Sequence, residues 1–148
     1  MAFSQGNSSQ DWGATLLRVA LGIMFITHGQ FKLVTLGIAP TMAFFEGVGF
    51  PGWTVYPVVT AEVVGGLMLI AGLHARWVAP ALTPILFGAI SVHLGNGWVF
   101  SAKGGGWEYP AFLIAACVIQ ALLGDGAWAL RMSRPSGEAK RHTVRKVT

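Results

Sequence analysis

The sequence predicts an all-α integral membrane four-helix bundle, and three observations predict it. Hydrophobic residues make up 53% of the 148 and charged residues only 11%, against roughly 25% charge in a soluble domain. The mean hydropathy is +0.59. The apolar residues also gather into four runs of about 20, the length a helix needs to cross the hydrocarbon core of a bilayer. Little chain is left between the runs. One domain is therefore expected, a four-helix unit over residues 14–131, preceded by a polar tail over 1–13 and followed by a basic tail over 132–148.

The N-terminal tail is rich in Ser, Asn and Gln up to Gln10. Asp11 is placed to cap a helix start, and Trp12 suits an interfacial anchor. No basic residue precedes the first apolar run, and that run is longer than the apolar part of a secretory leader, so the first span is expected to be retained. This span, residues 14–34, holds only Arg18 before the cluster His28-Gly29-Gln30-Phe31-Lys32. Arg18 shares a helical face with Gly22, Phe25, Gly29 and Lys32, and His28 sits on its flank. A face that carries both charges and glycines points at other helices.

Over residues 36–53, Pro40, Gly47, Gly49, Pro51 and Gly52 interrupt any long element, and 42–45 is apolar enough for a short surface helix in an interfacial loop or re-entrant turn. The second span, 54–73, has one charge, Glu62, beside Ala61, Gly65 and Gly66. His74-Ala75-Arg76 is a tight turn. The third span, 77–100, places Pro80 and Pro84 in its first two turns and His93 and Asn96 on one side. Residues 101–107 are a glycine-rich loop without the spacing of a phosphate-binding loop. The fourth span runs from Tyr109 to Leu123 or Leu130, according to whether Gly124-Asp125-Gly126 stops the helix. Cys117, the single cysteine, reads as a small buried thiol within it.

Eight of the ten Lys and Arg residues fall at one end of these spans, and only Lys32 and Lys103 at the other. Basic residues near span ends stay on the cytoplasmic side, so both termini are expected there. The basic C-terminal tail suits a topology determinant or a contact to anionic lipid. No aromatic platform accompanies it, so nucleic acid is not an expected partner.

At ~1.5 Å of rise per residue, His28, Glu62 and His93 each lie roughly 10 to 12 Å below the outer ends of their spans. Three ionisable groups thus share one layer, with Lys32 and Glu108 just above it and Gln30 and Asn96 within hydrogen-bonding depth. A lone charge at helix centre costs about 2.5 to 3.5 kcal/mol on insertion scales, which makes each such residue a candidate for function. His28, Glu62 and His93 are the catalytic candidates, and Gln30, Lys32, Asn96 and Glu108 the substrate-binding ones. The competing reading is that Glu62 bonds a histidine and only holds helices together. Histidine with glutamate can relay protons, hydrogen-bond a quinone carbonyl or bind a metal. A metal is the weakest of these, because no HxxxH or HxxE spacing concentrates ligands on one helix. Arg18 is expected to form a structural ion pair with Asp125 near the cytoplasmic edge.

Leu16-Leu17-Arg18, His28-Gly29-Gln30-Phe31-Lys32-Leu33, Glu62 with Gly65-Gly66-Leu67 and Gly72, His93, and Gly105-Gly106-Trp107-Glu108-Tyr109-Pro110 together resemble the DoxX family of small four-helix bacterial membrane proteins. The likeness covers roughly residues 14–131, and the closing Gly-Gly-Trp-Glu-Tyr-Pro block is its most specific part. Members of that family are similar to the membrane subunit of an archaeal thiosulfate:quinone oxidoreductase, or are linked to membrane oxidoreductase complexes. The resemblance implies a quinone-linked redox role and adds Trp107 to the substrate-binding residues. It also implies a soluble or membrane redox partner subunit, or a homo-oligomer. No haem, flavin or iron–sulfur signature is present, so a bound quinone or a partner's cofactor is the expected electron carrier. A non-enzymatic scaffold or a carrier of small solutes or ions is the alternative.

Overall fold

A computed structural model describes residues 8–130, so the basic C-terminal tail lies outside the described residues. Among those described there is no β-strand, and nearly all the regular structure is helical. The first helix, α1 (Ser9–Gln30), begins one turn before the expected start. Its N-cap is Ser8, not Asp11: the Ser8 hydroxyl accepts the Asp11 N–H, and Asp11 accepts the Ser8 N–H in return. This reciprocal arrangement satisfies two backbone donors that a helix start would leave orphaned. From Phe31 to Leu36 the helix widens into π turns and ends at Gly37, whose φ of 86° only glycine adopts readily. The segment between the first two spans then folds as α2 (Ile38–Gly47), longer than the four residues expected.

A single 3₁₀ turn (Gly52–Thr54) leads into α3 (Val55–Ala71). The extensive contact between α1 and α3 is set by glycine. A Cβ on Gly22 would lie 2.7 Å from the Gly66 carbonyl oxygen, and one on Gly66 would lie 2.7 Å from that of Gly22. Small residues at a crossing let two backbones approach where lipid supplies no hydrophobic drive for association. The faces read from sequence are the faces observed: Arg18, Gly22, Phe25 and Gly29 of α1 are buried, as are Glu62, Gly65 and Gly66 of α3.

The third span is two helices, α4 (Ala75–Ala81) and α5 (Thr83–His93), broken at Leu82 between Pro80 and Pro84. Each proline removes a backbone donor, and the Thr83 hydroxyl donates to the Pro80 carbonyl at 2.8 Å in place of a ladder bond. The Leu82 side chain fills the space over Gly65. The break changes what the span touches. α4 packs on α6 (Glu108–Leu123), α3 and α1, whereas α5 packs on α6 and α4 and parts from α1 and α3. One half of the bundle is closed around Leu21, Phe25, Leu69, Ala79, Leu113 and Cys117, and the other half is splayed.

Gly124, with φ of 85°, ends α6 at Leu123 and settles the alternative end at Leu130. The next residues turn back under the bundle. The Ala127 N–H donates to Asp11, the Leu130 N–H donates to Ala71, and Asp125, Ala127 and Ala129 are buried. Segments Ser9–Leu36, Gly52–Ala71 and Ala75–Asn96 are each long and apolar enough to cross a membrane, and Glu108–Leu123 is a shorter apolar helix. The bundle's outside is studded with Leu16, Ile23, Leu67, Phe87 and Leu122, each about half exposed or more. That surface suits lipid and not water.

Candidate functional site

The splay of α5 opens a cavity of about 1500 Å³ between α1 and α3 on one side and α5 and α6 on the other. His28, Lys32, Glu62, His93, Glu108 and Tyr109 supply its polar lining, and nearly all the rest is aliphatic or aromatic. The polar layer expected from helix rise is therefore present as the wall of one space.

Its centre is an ion pair that the sequence did not reveal. Lys32 lies above Glu62 by helix rise, yet its side chain folds back, and Nζ meets Glu62 Oε1 at 2.7 Å and Oε2 at 2.9 Å. The four-carbon stem can carry the ammonium either to the interface or inward. Two features bring it inward. The π turns carry Lys32 on a wider winding than α-helix, a local irregularity frequent at functional sites. Gly29 lets α3 come so close that a Cβ there would meet Val63 Cγ2 at 2.8 Å and Glu62 Cβ at 3.4 Å. The Glu62 side chain is 4% exposed and that of Lys32 19%, so the pair is largely out of water and the lysine is its accessible member. The third ammonium hydrogen has only the His28 carbonyl, at 3.5 Å.

His28 does not bond Glu62. Its Nδ1 lies 2.8 Å from the Met24 carbonyl oxygen. A carbonyl only accepts, so Nδ1 carries a proton, and in the neutral ring Nε2 is the nitrogen that keeps a lone pair. The ring stacks on Tyr109 at 5.8 Å and 20°. His93 has the same tautomer for the same reason, with Nδ1 at 3.0 Å from the Gly104 carbonyl. Neither Nε2 has a hydrogen-bond partner among the described residues.

Other candidates serve the walls. Glu108 accepts the Phe100 N–H at 2.6 Å, so its carboxylate ties the loop before α6 over the cavity mouth. Asn96 donates to the Gly104 and Gly105 carbonyls and holds the same loop from the other side. Trp107 packs edge-on against Trp98 at 4.5 Å. Gln30 is exposed. Gln30, Asn96 and Trp107 do not line the cavity. Tyr109 is the residue that reading the sequence missed. Its hydroxyl is buried without a hydrogen-bond partner among the described residues, and its ring braces His28. The available signal was a phenol in the first turn of an apolar span.

Arg18 stands apart from the cavity, at the closed end. Its guanidinium, 2% exposed, donates to the carbonyls of Leu69, Ile70 and Ala127 at 2.9, 2.5 and 2.9 Å. Asp125 attracts it electrostatically and accepts the Arg76 N–H at 3.0 Å. Among the described residues Arg18 and Asp125 do not meet as the expected ion pair: backbone carbonyl oxygens take the guanidinium's hydrogen bonds, and Asp125 acts on it electrostatically from farther off.

The sequence profile of the DoxX family matches residues 13–95, more than half of the chain. The chain belongs to the DoxX family. The stretch matched contains Lys32, Glu62, His28 and His93, whereas Glu108 and Tyr109 lie beyond it. Among DoxX-related proteins, the chain is 33% identical over 125 residues to "Putative oxidoreductase CatD" of Bacillus subtilis, covering 84% of this chain and 88% of that protein. It is 34% identical over 70 residues to "Inner membrane protein YqjF" of Escherichia coli, covering 47% of this chain and 52% of that protein. No solved structure matches the chain.

Proposed function

We propose that this DoxX protein is the membrane subunit of an oxidoreductase system whose cavity receives a quinone head group or a small anionic substrate and moves its protons. The observation that carries the reading is the Lys32–Glu62 pair, set in the wall of a large apolar cavity beside an imidazole with a free Nε2. Ionisable groups at membrane depth are expensive even when paired and mark function by default. The name of the Bacillus subtilis relative adds the redox element.

The donor set fits a quinone. Lys32 offers one weakly engaged N–H to a carbonyl oxygen, His28 Nε2 accepts from a hydroxyl, and apolar walls exclude water. A bound quinone would supply a redox couple of two electrons and two protons. The chain's own residues would do the rest. Lys32 orients the head, Glu62 holds the ammonium and accepts a proton, and His28 exchanges the second through Nε2. His93, lining the same cavity, is the next station outward.

Arg18 and Arg76 mark one end of the bundle and Lys32 and Lys103 the other, so the cavity end faces outward, with four crossings and both termini in the cytoplasm of an inner-membrane protein. A reporter fused after Thr148 that works only in the periplasm should stay silent; a signal from it would reverse the orientation. The redox reading is tested by purifying the chain in mild detergent and analysing bound lipids and proteins by mass spectrometry. A co-purifying quinone and a redox partner are expected. Their absence from a preparation that still transports a solute would make the protein a carrier.

A further inference from the structure

The cavity is larger than its polar equipment requires. Small-molecule sites usually measure ~300–1,000 Å³, and this one is about 1500 Å³. Besides His93 and Glu108 near the mouth, its charged and aromatic polar groups are Lys32, Glu62, His28 and Tyr109, while Met24, Phe25, Leu86 and Leu113 extend the space as hydrocarbon wall. At the rim, Glu108 and His93 lie by the loop before α6, and the rest of the edge is apolar. Phe44, Phe100 and Phe112 line the cavity and yet remain 54%, 65% and 71% exposed, so there the inner wall runs without a polar step into the surface that faces lipid. A water-soluble anion crossing that edge would lose its hydration and find nothing to replace it.

Gly88 gives the second observation. It lies within α5, where glycine weakens a helix relative to alanine, and a Cβ added there meets nothing within 4 Å. Unlike Gly22, Gly29 and Gly66, it permits no close helix approach. It lines the cavity together with Ala89, Ala111 and Ala115, and the effect of all four is open space.

We infer that the cavity binds a tailed amphiphile dissolved in the bilayer, which enters sideways past Phe44, Phe100 and Phe112, seats its head on Lys32, Glu62 and His28, and lays its hydrocarbon tail in the slot beside Gly88. The inference rests on the reading of this cavity as the ligand site, and it selects the lipophilic ligand class over the small anion. It does not require that the ligand be redox-active.

The test uses the full chain in lipid nanodiscs and three probes: dimethoxy-methyl-benzoquinone without a tail, the same head with a decyl tail, and decyl hydroxybenzoate, whose head is not reduced. Affinity of each probe is compared between the wild type and Gly88→Leu, so that partitioning of the tail into lipid cancels. Leucine fits the open space and improves helix propensity, so the variant should fold, as a thermal melt will verify. Both decyl probes should bind about tenfold more weakly to Gly88→Leu, since the new side chain displaces roughly two methylenes of tail, and the tail-less head should bind both proteins alike. Equal loss for all three probes, no loss for any, or no binding of either decyl probe would overturn the inference. Tail-dependent binding of decyl hydroxybenzoate would sustain it even if no quinone were ever reduced, whereas turnover of the tail-less quinone with no Gly88 effect would leave the redox reading standing and sink this one.

Discussion

The two ends of the bundle each turn inward a basic residue, Arg18 from α1 and Lys32 from the π turns that follow it, and they do opposite things with it. At one end the two terminal nitrogens of Arg18 donate to three backbone carbonyls and draw α1, α3 and residues 124–130 into a closed knot. At the other, Lys32 is matched by one buried carboxylate and fronts a cavity, with a third hydrogen barely engaged. The guanidinium has a fixed fork of donors suited to stationary acceptors, and the ammonium is a rotatable point charge. Buried charge in this fold is thus either consumed by the backbone or kept within a ligand's reach. The partners decide which, and burial alone does not.

The largest effect should come from breaking the closed end. Arg18→Leu strands three backbone carbonyls at the closed end, and at ~1 to 3 kcal/mol for each acceptor left unsatisfied a loss of about 3 to 5 kcal/mol is expected. Folded yield in detergent and the thermal midpoint will report it, and a variant as stable as wild type would show that the knot is ornamental. At the open end the same operation should be milder. Glu62→Leu leaves an ammonium that can swing back to the interface, so about 1 to 3 kcal/mol is expected, and adding Lys32→Met should recover most of it because no unpaired charge remains. Activity should be absent in both. Glu62→Gln keeps an acceptor for Lys32 but removes the titrating group, so normal yield with lost activity is expected; an active Glu62→Gln protein beside an inactive His28→Ala control would shift the chemistry to the histidine. The smallest effect belongs to Glu108. Glu108→Gln still accepts the Phe100 N–H and should change melting and ligand affinity little, while Glu108→Ala should cost about 1 kcal/mol by freeing the loop. A large affinity loss in Glu108→Gln would restore this carboxylate to direct ligand contact.

Much of this contrast was legible in the sequence, and what was hidden has a common cause. Helical periodicity placed Arg18, Gly22, Gly29, Glu62 and Gly66 on buried faces, because period and burial are local properties of one helix. Rise per residue put His28, Glu62 and His93 on one cavity. It failed for Lys32, whose depth is set by the reach of its side chain and not by its Cα. Which partner each polar group takes was not legible either. His28 bonds its own helix, and Glu108 bonds the preceding loop, where ligand contacts were expected. The break at Leu82 could be anticipated from two prolines, but not its consequence, which depends on α4 finding three neighbours and α5 fewer.

That break also divides the stiffness of the molecule. α4 is fastened on three sides, while α5 is carried on α6 and joined to α4 through one residue whose N–H reaches the Val78 and Ala79 carbonyls at 3.2 Å each. Pro84 has no N–H to give, and the Thr83 hydroxyl stands in for it, so no unbroken ladder of backbone bonds runs through the junction. A small rotation there swings the far end of α5 like a door leaf, and the swing disturbs neither the α1–α3 seam nor the knot at Arg18. The gap that faces the Lys32–Glu62 pair is therefore governed by a joint about sixteen residues of chain away from the loop that roofs it, and amides of α5 should exchange with solvent sooner than those of α3.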